Sequence, residues 1–308
     1  MWTCSDLKKS AWESLAPRFG WALLIVFLYQ MMESLAGSII SGLTGGLFPI
    51  LSEIKSVIVL LQGQNNFSDA FIQKTAFQLI FTLFTAFLWI VPVSGLLHAV
   101  FTIFLKDPLM CGILKWFIDR RGEKRKPAFE SIFGIFRSNN YAVIVKGMAW
   151  RYLWLCLWGA VSGLPFLLPV VCTILVGRYS DKVISSVQEH TGMSGASAWI
   201  EIALILLLLY LIASFLSMLI LLRRYYSYFY VPFILNEEPG LGYRDTMNRS
   251  KKMTQGQKAN ICALDLSFLG WWILVAFSCG LLTFVIMPYI YATYTELYLT
   301  RKSESASF

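Results

Sequence analysis

The chain has 308 residues, 57% of them hydrophobic and 14% charged, with a formal net charge of +8 and a mean hydropathy of +0.62. Soluble domains carry about a quarter charged residues, so this composition excludes an ordinary water-soluble fold. The basic residues lie between long apolar runs rather than in one compact domain, which argues against a nucleic-acid-binding module.

Residues 5–17 read as a short amphipathic helix in the membrane surface, with Ser5 as N-cap. Leu7, Ala11 and Leu15 recur at helical spacing beside Trp12. Lys8, Lys9 and Arg18 precede an apolar run too long for the core of a cleavable leader, so that run is expected to stay as the first anchor.

The first span is predicted at 21–43. Gly37, Ser41 and Gly45 lie on one register of its second half, and Ser38, Gly42 and Gly46 on the next. Small residues four apart let helices approach closely in lipid. Packing within the chain is the expectation, and contact with a second copy the alternative.

A nearly neutral loop leads to a second span at 77–105, where Pro92 predicts a kink or tilt. Residues 106–146 are strongly basic. Arg120, Arg121, Lys124, Arg125 and Lys126 are the candidate contacts to anionic lipid. Phe129, Phe133 and Phe136 fall at helical spacing and predict a face laid on the bilayer or under the bundle.

The third span, 154–175, contains Pro165 and Pro169, which predict a bend, together with a Gly159/Gly163 pair. The fourth, 199–222, is a leucine-rich run. A second basic stretch, 223–258, opens with tyrosines suited to the membrane–water boundary. The apolar stretch from 260 to 298 is too long for one crossing, since about 20 residues suffice. A turn at Ser278-Cys279-Gly280 divides it into spans at 261–277 and 281–298. One kinked helix is the alternative.

The expected architecture is therefore all-α: a multi-pass transmembrane helical bundle of about six spans with short amphipathic interfacial helices, forming one polytopic domain over 1–308. Charge bias orients it. With both termini on the cytoplasmic side of the cell membrane, 22 of the 26 Lys and Arg fall inside. Only Lys55, Lys74, Arg178 and Lys182 fall outside, which satisfies the positive-inside rule.

Several segments carry a resemblance. RYYSYFYVPFILNEEP (224–239), SKKMTQGQK (250–258), LDLSFLGWWIL (264–274) and MPYIYATYTELY (287–298) resemble a bacterial membrane family known only as domain-of-unknown-function family 975. LKKSAWESL (7–15) and the segment from Pro108 through Gly112 to Arg121-Gly122-Glu123 are similar to it too. The resemblance implies a multi-pass membrane fold and brings no activity or site residues with it.

No catalytic or nucleotide-binding motif is present, so no enzyme activity is expected. The six cysteines form no C-x-x-C pair and read as packing residues, with no metal or other cofactor expected. Ionisable residues within apolar spans are costly and mark candidate sites. Glu33, His98 and Asp265 form the candidate intramembrane polar site, with Lys258 or Arg151 as expected partners of Asp265. Arg151, Glu201 and Glu296 lie near span ends, where they can reach water. The leading expectation is a non-enzymatic component that binds membrane lipids, or another membrane protein, through its basic cytoplasmic face; nucleic acid is not an expected partner. A transporter with a polar site near Glu33 and His98 is the alternative.

Overall fold

The computed structural model describes residues 2–44, 55, 92–122, 129–167 and 195–306, and among these every regular element is a helix. Among the described residues, four helical stretches are long and apolar enough to cross a membrane: Cys4–Leu43, Pro92–Arg121, Leu204–Glu237 and Lys258–Phe277. The segments expected to cross at 154–175 and 281–298 are not among them. Helix Tyr141–Gly163 gives way to a 3-10 turn at Leu164–Leu167, and residues 168–175 lie outside the described residues. Helix Thr283–Ala306 dilutes its apolar residues with tyrosines, threonines and Glu296.

The chain divides into two compact units: Met1–Val145 with Ile273–Leu297, and Lys146–Trp272 with Tyr298–Phe308. In the first, helix α1 (Cys4–Leu15) is capped by Thr3, whose side chain accepts from the Asp6 amide. The cap is therefore Thr3 rather than Ser5, because an N-cap oxygen serves the amide two or three residues on. Leu7, Ala11 and Leu15 are buried as one stripe, whereas Trp12 stays half exposed against Tyr289. The expected amphipathic face is present, and it serves as a packing face within this unit.

Helix α2 (Phe19–Leu43) is buried only along Ala22, Ile25, Val26 and Tyr29 near its start. Further along, a Cβ at Gly37 or Gly42 would meet nothing among the described residues, so the ladder packs against none of them. Gly45 and Gly46 lie outside the described residues.

Residues 77–91 of the second expected span lie outside the described residues, and the described part does not end at Leu105. Its helix runs through a π-helical turn at Thr102–Lys106 and on into helix α3 (Asp107–Gly122). Asp107-Pro108 reads as a stop, because Pro108 has no amide for the Phe104 carbonyl four residues back. Two adjustments absorb the loss. The Asp107 amide bonds to the Thr102 carbonyl, five residues back, and the Tyr141 hydroxyl donates to the Phe104 carbonyl at 2.8 Å.

Helix α3 buries one broad face, with Cys111, Ile113, Leu114, Trp116 and Phe117 in the core. It packs against the short helices of 129–137, where Ile132 and Ile135 are buried but Phe133 and Phe136 are exposed. A methyl on Gly112 would collide with the Ile132 backbone carbonyl, so glycine sets this approach.

In the second unit, helix α4 (Tyr141–Gly163, of which residues from Lys146 belong here) ends just before the turn holding Pro165, as that proline predicts. Helix α5 (Gly195–Ser227) carries the most apolar stretch, with mean hydropathy 2.8 and none of it buried. Leu204, Leu207, Leu208 and Leu211 each expose more than half their surface. Leaving one such side chain in water costs roughly 1.5–3 kcal/mol relative to burial. A whole helix of them requires a hydrocarbon environment.

Helices α6 (Val231–Glu237), α7 (Tyr243–Thr254) and α8 (Lys258–Leu266) follow. Helices α7 and α8 both pack against α5. A brief turn at Ser267-Phe268 separates α8 from α9 (Leu269–Phe277), so the fifth expected span is kinked.

Back in the first unit, α9 ends where the turn was expected. Cys279 and Gly280 take positive φ values of 51° and 87°, and the Gly280 amide reaches the Val275 carbonyl at 2.9 Å. Ser278 then accepts from the Leu282 amide at 3.1 Å, and helix α10 (Thr283–Ala306) begins. Two successive left-handed residues end a helix rather than bend it. Pro288 lies inside α10 and does not end it, unlike Pro165 in its turn.

Candidate functional site

Glu33 carries the first candidate. It projects from the apolar part of α2, and its carboxylate forms an ion pair with Lys106 at the end of the π turn. An unpaired carboxylate on such a helix would be strongly disfavoured, and a lysine on a neighbouring apolar helix compensates it. π turns are frequent at functional positions because they re-aim side chains within a helix. His98 lies two turns earlier on the same run, exposed, with its ring 6.3 Å from Phe101. Lys106, which sequence reasoning left among the basic loop residues, is the real partner of Glu33.

Asp265 belongs to the second unit, where it accepts from the Tyr226 hydroxyl at 2.8 Å. That tyrosine is a partner which sequence reasoning did not nominate. Of the three residues nominated for one polar site, Glu33 and His98 therefore belong to the first unit and Asp265 to the second.

Arg120 and Arg121 close helix α3 in the first unit. The Arg120 guanidinium donates to the Leu15 carbonyl at 3.0 Å and lies 5.2 Å from the Trp116 ring centroid. Arg121 pairs with Glu296 at 3.0 Å. Glu296 is not at the water: its side chain is 7% exposed against 45% for Arg121. Ser14, Phe117, Thr295 and both arginines line a small crevice beside it. Lys124, Arg125 and Lys126 lie outside the described residues.

The second unit holds a tightly bonded polar knot. The buried Ser250 hydroxyl donates to the Ser227 carbonyl at 3.0 Å and accepts from the Tyr230 amide at 3.2 Å. It thereby satisfies the backbone where α5 stops and the chain turns into α6. Glu237 accepts from the Tyr298 hydroxyl and from Lys302, each at normal or short hydrogen-bond distance. Tyr298 also stacks on Phe233 with ring centroids 4.8 Å apart. Arg249 pairs with Glu238 at 2.6 Å, and Arg301 donates to the Met253 carbonyl at 3.0 Å. The RYYSYFYVPFILNEEP and SKKMTQGQK segments are thus bound to each other.

At the end of α5 sits a different arrangement. Arg223 and Arg224 lie there, Arg224 with its guanidinium 4.0 Å over the Trp158 ring. Lys251 on α7 lies 5.7 Å from the Tyr228 ring centroid. Lys258 opens α8, and the charges acting on its ammonium are Arg223, Arg224 and Lys251, all positive. Among the described residues, ion pairs engage Lys106, Arg121, Arg249, Arg301 and Lys302, and none engages these four. Sequence reasoning saw the basic stretch but not its convergence, because the four residues come from three helices.

Among the described residues there is no grouping of His, Cys, Asp and Glu able to hold a metal ion. Long apolar helices with exposed apolar faces, with cations at their ends and ion pairs beside them, define a helical membrane-embedded protein. The chain belongs to the protein family of unknown function DUF975, whose model matches residues 1–305. No curated protein matches it. No solved structure does either.

Proposed function

We propose that this protein is a non-enzymatic component of the cell membrane, both termini cytoplasmic, whose basic face binds anionic lipid headgroups. The observation behind this reading is the placement of cations directly beside apolar helices: Arg18 before α2, Arg120 and Arg121 at the end of Pro92–Arg121, and Arg223 and Arg224 after the leucines of α5. Each Lys or Arg held at an anionic leaflet contributes about 1 kcal/mol. Exposed Lys9 and Lys115 can add to that attraction, whereas Arg120 and Arg121 divide their bonding capacity between lipid and the fold. The test is retention of phosphatidylglycerol against phosphatidylcholine by the purified chain, measured by native mass spectrometry. Neutralising Lys115, Lys124, Arg125 and Lys126 should reduce the anionic preference. Equal retention of both lipids by the unaltered chain would overturn the reading. A partner membrane protein recognised through the same face would instead appear as a specific in-cell crosslink from those positions.

The Glu33–Lys106 pair supports a second reading, a transporter that uses a polar site inside the bundle. Proton- or solute-dependent flux in proteoliposomes, abolished by Glu33→Gln, would favour it. His98→Ala should leave that flux unchanged, since His98 lies two turns away from Lys106.

A further inference from the structure

We propose that Arg223, Arg224, Lys251 and Lys258 form a discrete binding site for the phosphate of an anionic glycerophospholipid. This rests on the lipid-binding reading above and assigns it an address. Arg223 and Arg224 end the most apolar helix of the molecule, so the site lies where a hydrocarbon layer gives way to headgroups. Helices α7 and α8 pack against α5; Lys251 reaches the Tyr228 ring just past the end of α5, and the Lys258 ammonium feels the positive charges of Arg223, Arg224 and Lys251. Four like charges held together repel one another, none of them is in an ion pair among the described residues, and such a cluster is stabilised when an anion joins it. Elsewhere the fold gives several cations an acid partner. Lys106, Arg121, Arg249, Arg301 and Lys302 each have one.

The surroundings suit a phosphate diester carrying acyl chains. Trp158 fixes the Arg224 guanidinium by its ring face, which limits the side-chain freedom lost on binding. Helix α8 begins at Lys258 without a side-chain cap on its first turn, so its amides add positive potential beside the cluster. Arg223 and Lys251 are exposed and can wrap the ligand. The outward leucines of α5, running directly into Arg223, give acyl chains a surface to lie on. A free phosphate would gain nothing from that surface.

The experiment is equilibrium binding of fluorescent phosphatidylglycerol to the full chain in neutral detergent. The unaltered chain is compared with Arg223→Gln/Lys251→Gln, which keeps Arg224 on Trp158, and with the control Arg137→Gln/Lys146→Gln, two exposed cations with no assigned lipid contact. Loss of two of the four charges is expected to weaken binding about 10- to 30-fold, with less than a twofold change in the control. Arg223→Lys/Lys251→Arg should restore it. Equal losses in both double variants would overturn the site while leaving general lipid attraction by the basic face in place. No preference for phosphatidylglycerol over phosphatidylcholine in the unaltered chain would overturn both. Full competition by inorganic phosphate at the lipid's own affinity would make this a free-anion site and overturn the lipid assignment.

Discussion

Arg121 lies 3.0 Å from Glu296, and the two differ sharply in exposure: the glutamate side chain is 7% exposed and the arginine 45%. Their substitutions should therefore be unequal. Arg121→Met leaves a carboxylate buried without its counter-ion, the costly half of breaking such a pair. Glu296→Gln leaves an arginine that can turn toward water. A full burial penalty of about 3–5 kcal/mol is discounted for the exposed partner. We expect Arg121→Met to cost about 2 kcal/mol and Glu296→Gln about 1 kcal/mol, read as ordered drops in the melting temperature of the detergent-solubilised chain. Equal drops would show the pair to be a surface contact.

The Tyr141 hydroxyl donates to the Phe104 carbonyl that Pro108 cannot serve. Tyr141→Phe should therefore destabilise by about 0.5–1.5 kcal/mol, the net worth of one hydrogen bond. In a Pro108→Ala background the backbone can supply the donor, so the same substitution should cost measurably less. A double-mutant cycle on thermal stability gives the coupling, and a coupling of zero would separate the tyrosine from the proline.

What the residues disclose and what they conceal follow from how far each signal reaches along the chain. The leucines of 199–222 announce their helix because each contributes independently to an apolar run, and a lipid-facing helix needs no partner to be recognised. The stripe of Leu7, Ala11 and Leu15 is equally local, and all three are buried. A proline's effect depends on what its surroundings supply. Pro165 sits in the turn that follows a helix, whereas Pro108 and Pro288 lie within helices. For Pro108 the rescue comes from a tyrosine 33 positions beyond it in the chain.

The pairings are the least legible. Lys106 meets Glu33 across 73 positions, and nothing in the spacing of either residue points to the other. Glu296 reads as a residue free to snorkel because it sits near an apolar boundary, yet α1 and α3 contribute walls to the crevice beside it. The four-cation cluster of the second unit is hidden for the same reason: it is assembled by helix packing rather than by a run of residues.

Ser250 should be among the least replaceable small residues of the second unit. Its hydroxyl satisfies both the Ser227 carbonyl and the Tyr230 amide in a buried position. Ser250→Ala removes both bonds and strands two buried backbone groups, at about 1–3 kcal/mol for each unsatisfied group before relaxation. We expect a net loss of about 2 kcal/mol. It should appear as faster limited proteolysis within 228–257, with unchanged cleavage in the first unit. Uniform acceleration at all sites would indicate global unfolding instead.

Three glycines should respond to alanine in a fixed order, because what a new methyl would meet differs at each. At Gly112 it meets the backbone carbonyl of Ile132, which cannot move without shifting the segment that carries it. Overpacking of that kind costs about 1–3 kcal/mol. At Gly147 it would lie 2.7 Å from the Leu235 Cδ atoms, the tip of a side chain that can rotate away. The helix-propensity gain of up to about 1 kcal/mol then offsets part of the repacking. At Gly37 it meets nothing among the described residues, so that gain should stand alone. The expected order of melting temperatures is Gly37→Ala above the unaltered chain, Gly147→Ala slightly below it, and Gly112→Ala lowest. A large loss at Gly37 would reveal a close helix neighbour on the Gly37/Ser41 register and revive the small-residue ladder as a packing surface.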